Sequence, residues 1–313
     1  MDSSGNAKHV SKCLELAILL EASAHKPGNV SVVTNFDGTR YEHFLASAVA
    51  AASSFEYAAE QGNAVSEGKI GVADVGVGRI IKDCVASISA WQHGGNTLLG
   101  TVMLVSPIAA AAGMTSAKDI FEIVKLRKNL KLVVESTTPE DAVNVYEAIK
   151  IANPSGLGKA PRLDVNDPES TNRILAEKTS LFEIFKIAEK YDAICSEWVN
   201  GYPVTFDVAY PHLTKQLENK DLNEAIIQVF LEVLAEYPDT FIARKTSLEK
   251  AREVSSKARE ILELGGLGTF RGKESLASFD RQLRESSNLL NPGTTADIVA
   301  AALSLCVLSG FRP

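Results

Sequence analysis

Residues 74–92 read DVGVGRIIKDCVASISAWQ, and two folds compete for them. Gly76 and Gly78 have the look of a nucleotide-binding glycine loop, which would open a doubly wound α/β domain. That loop must follow a β-strand, because the strand end aims its amides at the phosphates. No strand pattern precedes Asp74. Instead Val77, Ile81, Cys84, Ile88 and Trp91 recur every three or four residues, so they line one face of a helix. The stretch is therefore a helix from about Asp74 to Gln92, and the Rossmann reading is rejected.

The same period extends in both directions. It predicts helices over Val10–Ala24, Tyr41–Gln61, Leu98–Ala112, Leu181–Val199, Leu222–Glu236, Leu248–Leu264, Glu274–Glu285 and Thr294–Leu308. Pro107 should kink the Leu98 helix. The segment TPEDAVNVYEAIKIA opens a further helix, with a threonine cap, Pro139 in the first turn and two acids. Gly265-Gly266 is a C-terminal stop. Strand signals are confined to NVSVVTNF (29–36) and LKLVVES (130–136), too little for a sheet. Asn153–Thr171 is the one long polar loop, and no low-complexity linker divides the chain. The expectation is all-α: one large multi-helix domain over residues 1–313, its loops converging on a central nucleotide site.

The chain has 313 residues, 45% hydrophobic and 23% charged, with a formal net charge of −7. That is the profile of a soluble protein with a substantial core. The acidic balance argues against nucleic acid as a partner. The N-terminus lacks a signal-peptide core and Ile298–Phe311 is too short to span a bilayer, so a cytoplasmic protein with no membrane contact is expected. Cys13, Cys84, Cys195 and Cys306 are far apart in apolar contexts and read as buried free thiols. Walker, HExxH, DDxxD and GxSxG motifs are absent.

Four polar stretches interrupt the helices. In HKPGNVSVVTNFDG (25–38), Lys26 and the amides around Gly28 and Asn29 suit anionic oxygens, with Glu21 and His25 alongside. Helix termination alone would explain Pro27 and Gly28. In WQHGGNTLLG (91–100), Gly95 lets backbone approach a ligand at a helix N-terminus. Asn96 or Thr97 serves equally as a cap there, and His93 precedes the glycines. In SEWVNGYPVTFDVAYPHL (196–213), Glu197 stands near a helix end. Tyr202 and Tyr210 either stack on a base or fill the core. In NLLNPGTTAD (288–297), Asp297 opens an apolar helix three residues after Thr294. That spacing suggests a capping box, or a carboxylate for a metal or a ribose hydroxyl.

In order, these stretches resemble the motifs of the triphosphoribosyl-dephospho-CoA synthase family. EASAHKPGNVS is similar to the family's P-K-P-G-L-V-D region, and Phe44 and Ser47 fit the F-x-x-S-A after it. Gly94 to Gly100 correspond to G-V-N-T-H-K-G. Glu197 and Gly201-Tyr202-Pro203 resemble its G-E-A and G-F-P segments. NPGTTADIVA resembles its N-x-x-P-G-G-S-A-D-L-L-A ending. The resemblance covers most of the chain and is least characteristic from about Asp119 to Thr179. Leu98-Leu99 replace a His-Lys pair and Ser31 replaces an Asp; with PDTFIARK (238–245), these mark a divergent, archaeal-like branch.

The resemblance implies an all-helical transferase. Its members join ATP to the 2′-hydroxyl of 3′-dephospho-CoA and release adenine. It implies Glu197 and Glu21 as catalytic carboxylates; the loss of the His-Lys pair at Leu98-Leu99 predicts a weaker transfer or a different acceptor unless His93 restores the base. The nucleotide would be held by Lys26, Gly28, Asn29, Gly95, Asn96, Thr97, Arg244 and Lys245. Mg²⁺ bound with ATP would sit on Asp297 and Glu197. A helical nucleotide hydrolase or glycohydrolase and a non-catalytic nucleotide-binding protein are the alternatives.

Overall fold

The computed structural model describes residues 3–115, 122–158, 160–285 and 288–313. Among them are fifteen α-helices and no strand. The first half holds α1 (Ser3–Ser23), α2 (Tyr41–Ser66), α3 (Val77–Trp91), α4 (Leu99–Gly113), α5 (Ile123–Glu135) and α6 (Pro139–Ala152). Then come α7 (Ser170–Glu177), α8 (Leu181–Ala188), α9 (Ala193–Asn200), α10 (Tyr210–Leu217) and α11 (Leu222–Glu236). The last four are α12 (Thr240–Lys245), α13 (Leu248–Glu263), α14 (Phe270–Glu285) and α15 (Gly293–Leu308). One apolar cluster takes residues from all fifteen. The four cysteines are free and buried. No helix among the described residues is long and apolar enough to cross a membrane.

Helix α4 is the axis. Its sequence is apolar on every side, and every residue from Thr101 to Gly113 is buried, as a helix without a polar face must be. It packs against α1, α2, α3, α5 and α15. Small residues let the backbones close in: a Cβ on Gly62 of α2 would overlap the Ala110 carbonyl, and one on Gly113 would overlap the Ala59 carbonyl.

Pro107 lies inside α4. It has no N–H for the carbonyl four residues back, that of Met103. Trp198 Nε1 donates to that oxygen at 3.0 Å. Tyr202 Oη donates to the next carbonyl, Leu104, at 3.2 Å. Both side chains are fully buried, so core packing is the fate of Tyr202.

The decisive stretch is helical, with one amendment. A 3₁₀ turn covers Val72–Val75, Gly76 takes a left-handed φ of 68°, and α3 starts at Val77. Gly78 serves packing: its N–H donates to Asp141 Oδ1 at 2.8 Å, and a Cβ there would overlap the Asp141 backbone of α6. Thr138 and Asp141 form the capping box of α6. The helix expected over Leu181–Val199 is two, because the Asp192 carboxylate accepts the Ile194 and Cys195 amides and starts α9 afresh. LKLVVES forms the end of α5, where helical burial of Leu130, Val133 and Val134 overrides β propensity. NVSVVTNF is a loop with a lone Ser31–Thr34 bridge.

Candidate active site

The first turn of α4 is the meeting point. Its Leu99 amide donates to Asn96 Oδ1 at 3.1 Å. Thr101 reaches Asp297 with its hydroxyl, 2.6 Å from Oδ1, and with its backbone N–H. Gly100 between them makes room: a Cβ there would overlap Asp297 Oδ2. The positive end of a helix is a favourable place for a carboxylate.

The capping box expected of Thr294 and Asp297 is not what forms. Asp239, from before α12, supplies the cap. Its Oδ2 accepts the Thr295 amide and hydroxyl, both at 2.8 Å, while Oδ1 accepts the amides of Phe241 and Ile242. Thr294 Oγ1 accepts from Thr240 Oγ1 at 3.3 Å. With its own helix capped from outside, Asp297 is free to turn towards α4.

Burial pushes the Asp297 carboxyl up to about 8; the negative charges of Glu21 and Asp239 add to the rise, and Thr101 opposes it. Part of the Asp297 surface nevertheless stays exposed. Glu21 and Asp239 are raised too, again chiefly by burial. Lys26 is 2% exposed and turns inward, its Nζ 3.1 Å from Glu21 Oε1 and bonded to the Glu21 and Ala24 carbonyls. Its ammonium offsets part of the rise at Glu21.

The loop carrying Lys26, Gly28 and Asn29 is pinned from α14 and from the segment before α15. Asn291 Nδ2 donates to the Gly28 carbonyl at 2.7 Å and to Asn29 Oδ1 at 3.0 Å. From α14, Asp280 Oδ1 accepts the Gly28 amide at 2.8 Å, and Arg284 donates to the Asn29 carbonyl at 2.6 Å and to Thr34 Oγ1. Arg284 is itself paired with Asp280 at 2.9 Å. Gly28 has φ of 70° and touches Leu283 and Pro292, so a side chain fails there twice.

The glycine loop edges a cavity of about 260 Å³ whose lining includes Ile88, Ser89, Gln92, His93, Gly95, Asn96, Thr97, Leu98, Leu99 and Ile151. His93 is exposed. Thr97 Oγ1 and Ser47 Oγ share a hydrogen bond of 2.7 Å, which ties the loop to α2. Gln92 braces the turn through the Gly94 amide and the Gly95 carbonyl.

Lys245 lies 4.0 Å over the Phe241 ring and donates to the Asn288 carbonyl at 2.7 Å. Burial lowers it to about 8, partly countered by Asp239. Gly156, from the long loop after α6, packs on its stem. Arg244 pairs with Asp192. Glu197 is 1% exposed, and its two oxygens accept the Val204 and Thr205 amides at 2.9 Å each, within the π-helical turn that follows α9. Burial raises its pKa against those bonds. A second cavity, of about 680 Å³, lies between α5, the end of α9 and the start of α10.

The structure thus ties Glu21, Lys26, Gly28 and Asn29 together with Asn291, Asp280 and Arg284, bonds Asp297 separately to Thr101 of α4 with the Glu21 charge near it, and sets Gly95, Asn96 and Thr97 at the start of the same helix. Glu197 is held in its own turn, and Arg244 faces Asp192. Among the described residues, no group of three His, Cys, Asp or Glu side chains stands where it could hold a metal. Asp239, Asp280, Arg284 and Thr101 were not singled out from the sequence. Only Asp239, as a helix cap in PDTFIARK, left a local signal.

The model of the ATP:dephospho-CoA triphosphoribosyl transferase (CitG) family matches residues 7–312. The chain belongs to that family. A 2-(5″-triphosphoribosyl)-3′-dephosphocoenzyme-A synthase from Escherichia fergusonii is 30% identical over 102 residues, 32% of this chain and 33% of that protein. A presumed synthase of the same name from Pseudomonas savastanoi is 26% identical over 114 residues, 36% of this chain and 38% of that protein. The matched stretch therefore spans just over a third of these curated relatives. A crystal structure of a presumed triphosphoribosyl-dephospho-CoA synthase from Archaeoglobus fulgidus superposes with a TM-score of 0.62 at 21% identity. It covers 86% of this chain and all of its own, and so shares the transferase-family fold.

Proposed function

We propose that this family member transfers the triphosphoribosyl group of ATP to the 2′-hydroxyl of 3′-dephospho-CoA and releases adenine. The observation that carries the reading is Asp297, a carboxylate bonded to Thr101 on the first turn of α4, directly after the glycine loop, in a stretch whose Asn291 also holds the Gly28 carbonyl. The C1′–N9 bond breaks and its electron pair stays on adenine. The acceptor oxygen bonds C1′, and its proton passes to Asp297. A base with pKa near 8 suits that task close to neutral pH. The charges of Glu21 and Asp239 keep the proton affinity of Asp297 high. A negative carboxylate beside C1′ also stabilises an oxocarbenium-like state. His93, at the mouth of the small cavity, is the candidate donor to the departing base.

The backbone of residues 28–29 and the Lys245 ammonium are proposed to hold phosphate oxygens. Lys26 contributes through Glu21, and Arg244 by fixing α12 through Asp192. Magnesium would enter on the nucleotide phosphates, with Asp297 kept as the base rather than as its ligand and Glu21 engaged by the Lys26 ammonium. Nucleotide-bound magnesium would neutralise the triphosphate. Glu197 is proposed to act by shaping the turn that carries Tyr202. The chain works as one cytoplasmic domain on small molecules, with no nucleic-acid partner.

The test is adenine release from ATP, followed chromatographically with and without dephospho-CoA. Release that depends on the acceptor supports the transferase. Release without acceptor means a glycohydrolase, and no release on folded protein defeats the catalytic reading.

A further inference from the structure

The small cavity beside the glycine loop has no occupant in the account above beyond its mouth residue, His93. Its lining mixes the apolar side chains of Val85, Ile88, Leu98, Leu99 and Ile151 with polar ones, Gln92 and Thr97 among them. Its volume of about 260 Å³ is below that of pockets that take whole drug-sized ligands, roughly 300–1,000 Å³, and suits a single flat ring system. At its rim stand His93, Ser89 and Asn96. The oxygen of Asn96 is taken by the Leu99 amide, which leaves its NH₂ to face a ligand.

The cavity and the Asp297 contact share the start of α4. Leu98 and Leu99 form its wall, and the next two residues, Gly100 and Thr101, hold Asp297. The end of α6 and the loop after it lead from one to the other. Ala152 lines the cavity, Gly156 packs on Lys245, Lys245 covers Phe241, and Phe241 abuts Gly293 at the start of the Asp297 helix.

We infer that this cavity is the base subsite: it receives the purine ring of the nucleotide, with the ribose lying across Gly100 towards Asp297. The inference rests on the ATP reading above and says where the leaving group sits. The apolar side chains pack on the faces of the ring, and the polar side chains of the lining meet its edge nitrogens. The adjacent carboxylate then stands by the carbon from which the base departs.

The experiment fills the cavity from its rim. Ile151 and Ser89 are both exposed, so Ile151→Trp and Ser89→Phe add bulk at the mouth without disturbing the core. Helical circular dichroism and melting confirm each fold. Calorimetry then measures three probes on each protein: ATP, free adenine and inorganic triphosphate. The expected result is that both variants lose adenine and ATP affinity by about tenfold or more while triphosphate binds as before. Unchanged adenine binding in both folded variants, with ATP bound by the unmodified protein, overturns the base subsite alone. Failure of the unmodified protein to bind either ATP or adenine overturns the ATP reading and this inference with it.

Discussion

Asp297→Asn separates what the Asp297 site costs in stability from what it contributes to chemistry. The carboxyl is raised from 3.8 to about 8, so between those values the folded chain holds a proton that the unfolded chain has lost. Stability therefore falls as pH rises through that window and levels off above 8. At 1.36 kcal/mol per pH unit the ceiling is about 6 kcal/mol. Solvent reaches part of the side chain, so about 2–3 kcal/mol is the expected size. The asparagine keeps an oxygen for Thr101 and carries no charge. Urea unfolding of both proteins at pH 5 and pH 8.5 is the assay. The variant should gain about 2–3 kcal/mol on the unmodified protein between the two pH values. Adenine release should fall at least about a hundredfold, and the alkaline rise of the unmodified rate near pH 8 should vanish. A stability difference that does not change with pH would refute the raised carboxyl.

Gly100→Ala pushes a methyl into Asp297 Oδ2, so adenine release should drop about tenfold or more, at a stability cost of about 1–3 kcal/mol by melting. Gly78→Ala forces α3 off the Asp141 backbone and should cost about 2–4 kcal/mol in urea; a cost under 0.5 kcal/mol would mean the helices part easily. Arg284→Ala removes the bonds to Asn29 and Thr34 and should raise the ATP KM several-fold, by about 1–2 kcal/mol, more than it lowers kcat. Equal effects on both would place Arg284 outside ground-state binding.

What could be read from the chain alone follows the range of the forces involved. Helix existence is local: Thr138, Pro139 and Asp141 start α6 with no help from elsewhere. The break at Asp192 is local too, but two apolar runs of matching period on either side mask it. The network around Asp297 is not local. The capping-box spacing of Thr294 and Asp297 points inward along one helix, yet Asp239 takes that duty and sends Asp297 to Thr101, 196 residues away in sequence. Motif order located the right loops. It could not show that Lys26 turns inward on Glu21, or that Glu197 is enclosed by its own turn, because both depend on which partner reaches the group first.

The bond from Trp198 to the Met103 carbonyl bears on how the chain comes apart. A proline in the middle of a buried helix leaves the Met103 oxygen without its usual donor four residues on, and the indole that bonds it is synthesised some ninety residues later. The N-terminal half is therefore not a separable piece: severed before α9, it would hold its axis helix with a hole in the hydrogen-bond ladder. Supplied in trans, the second half would have to return that indole to close the ladder.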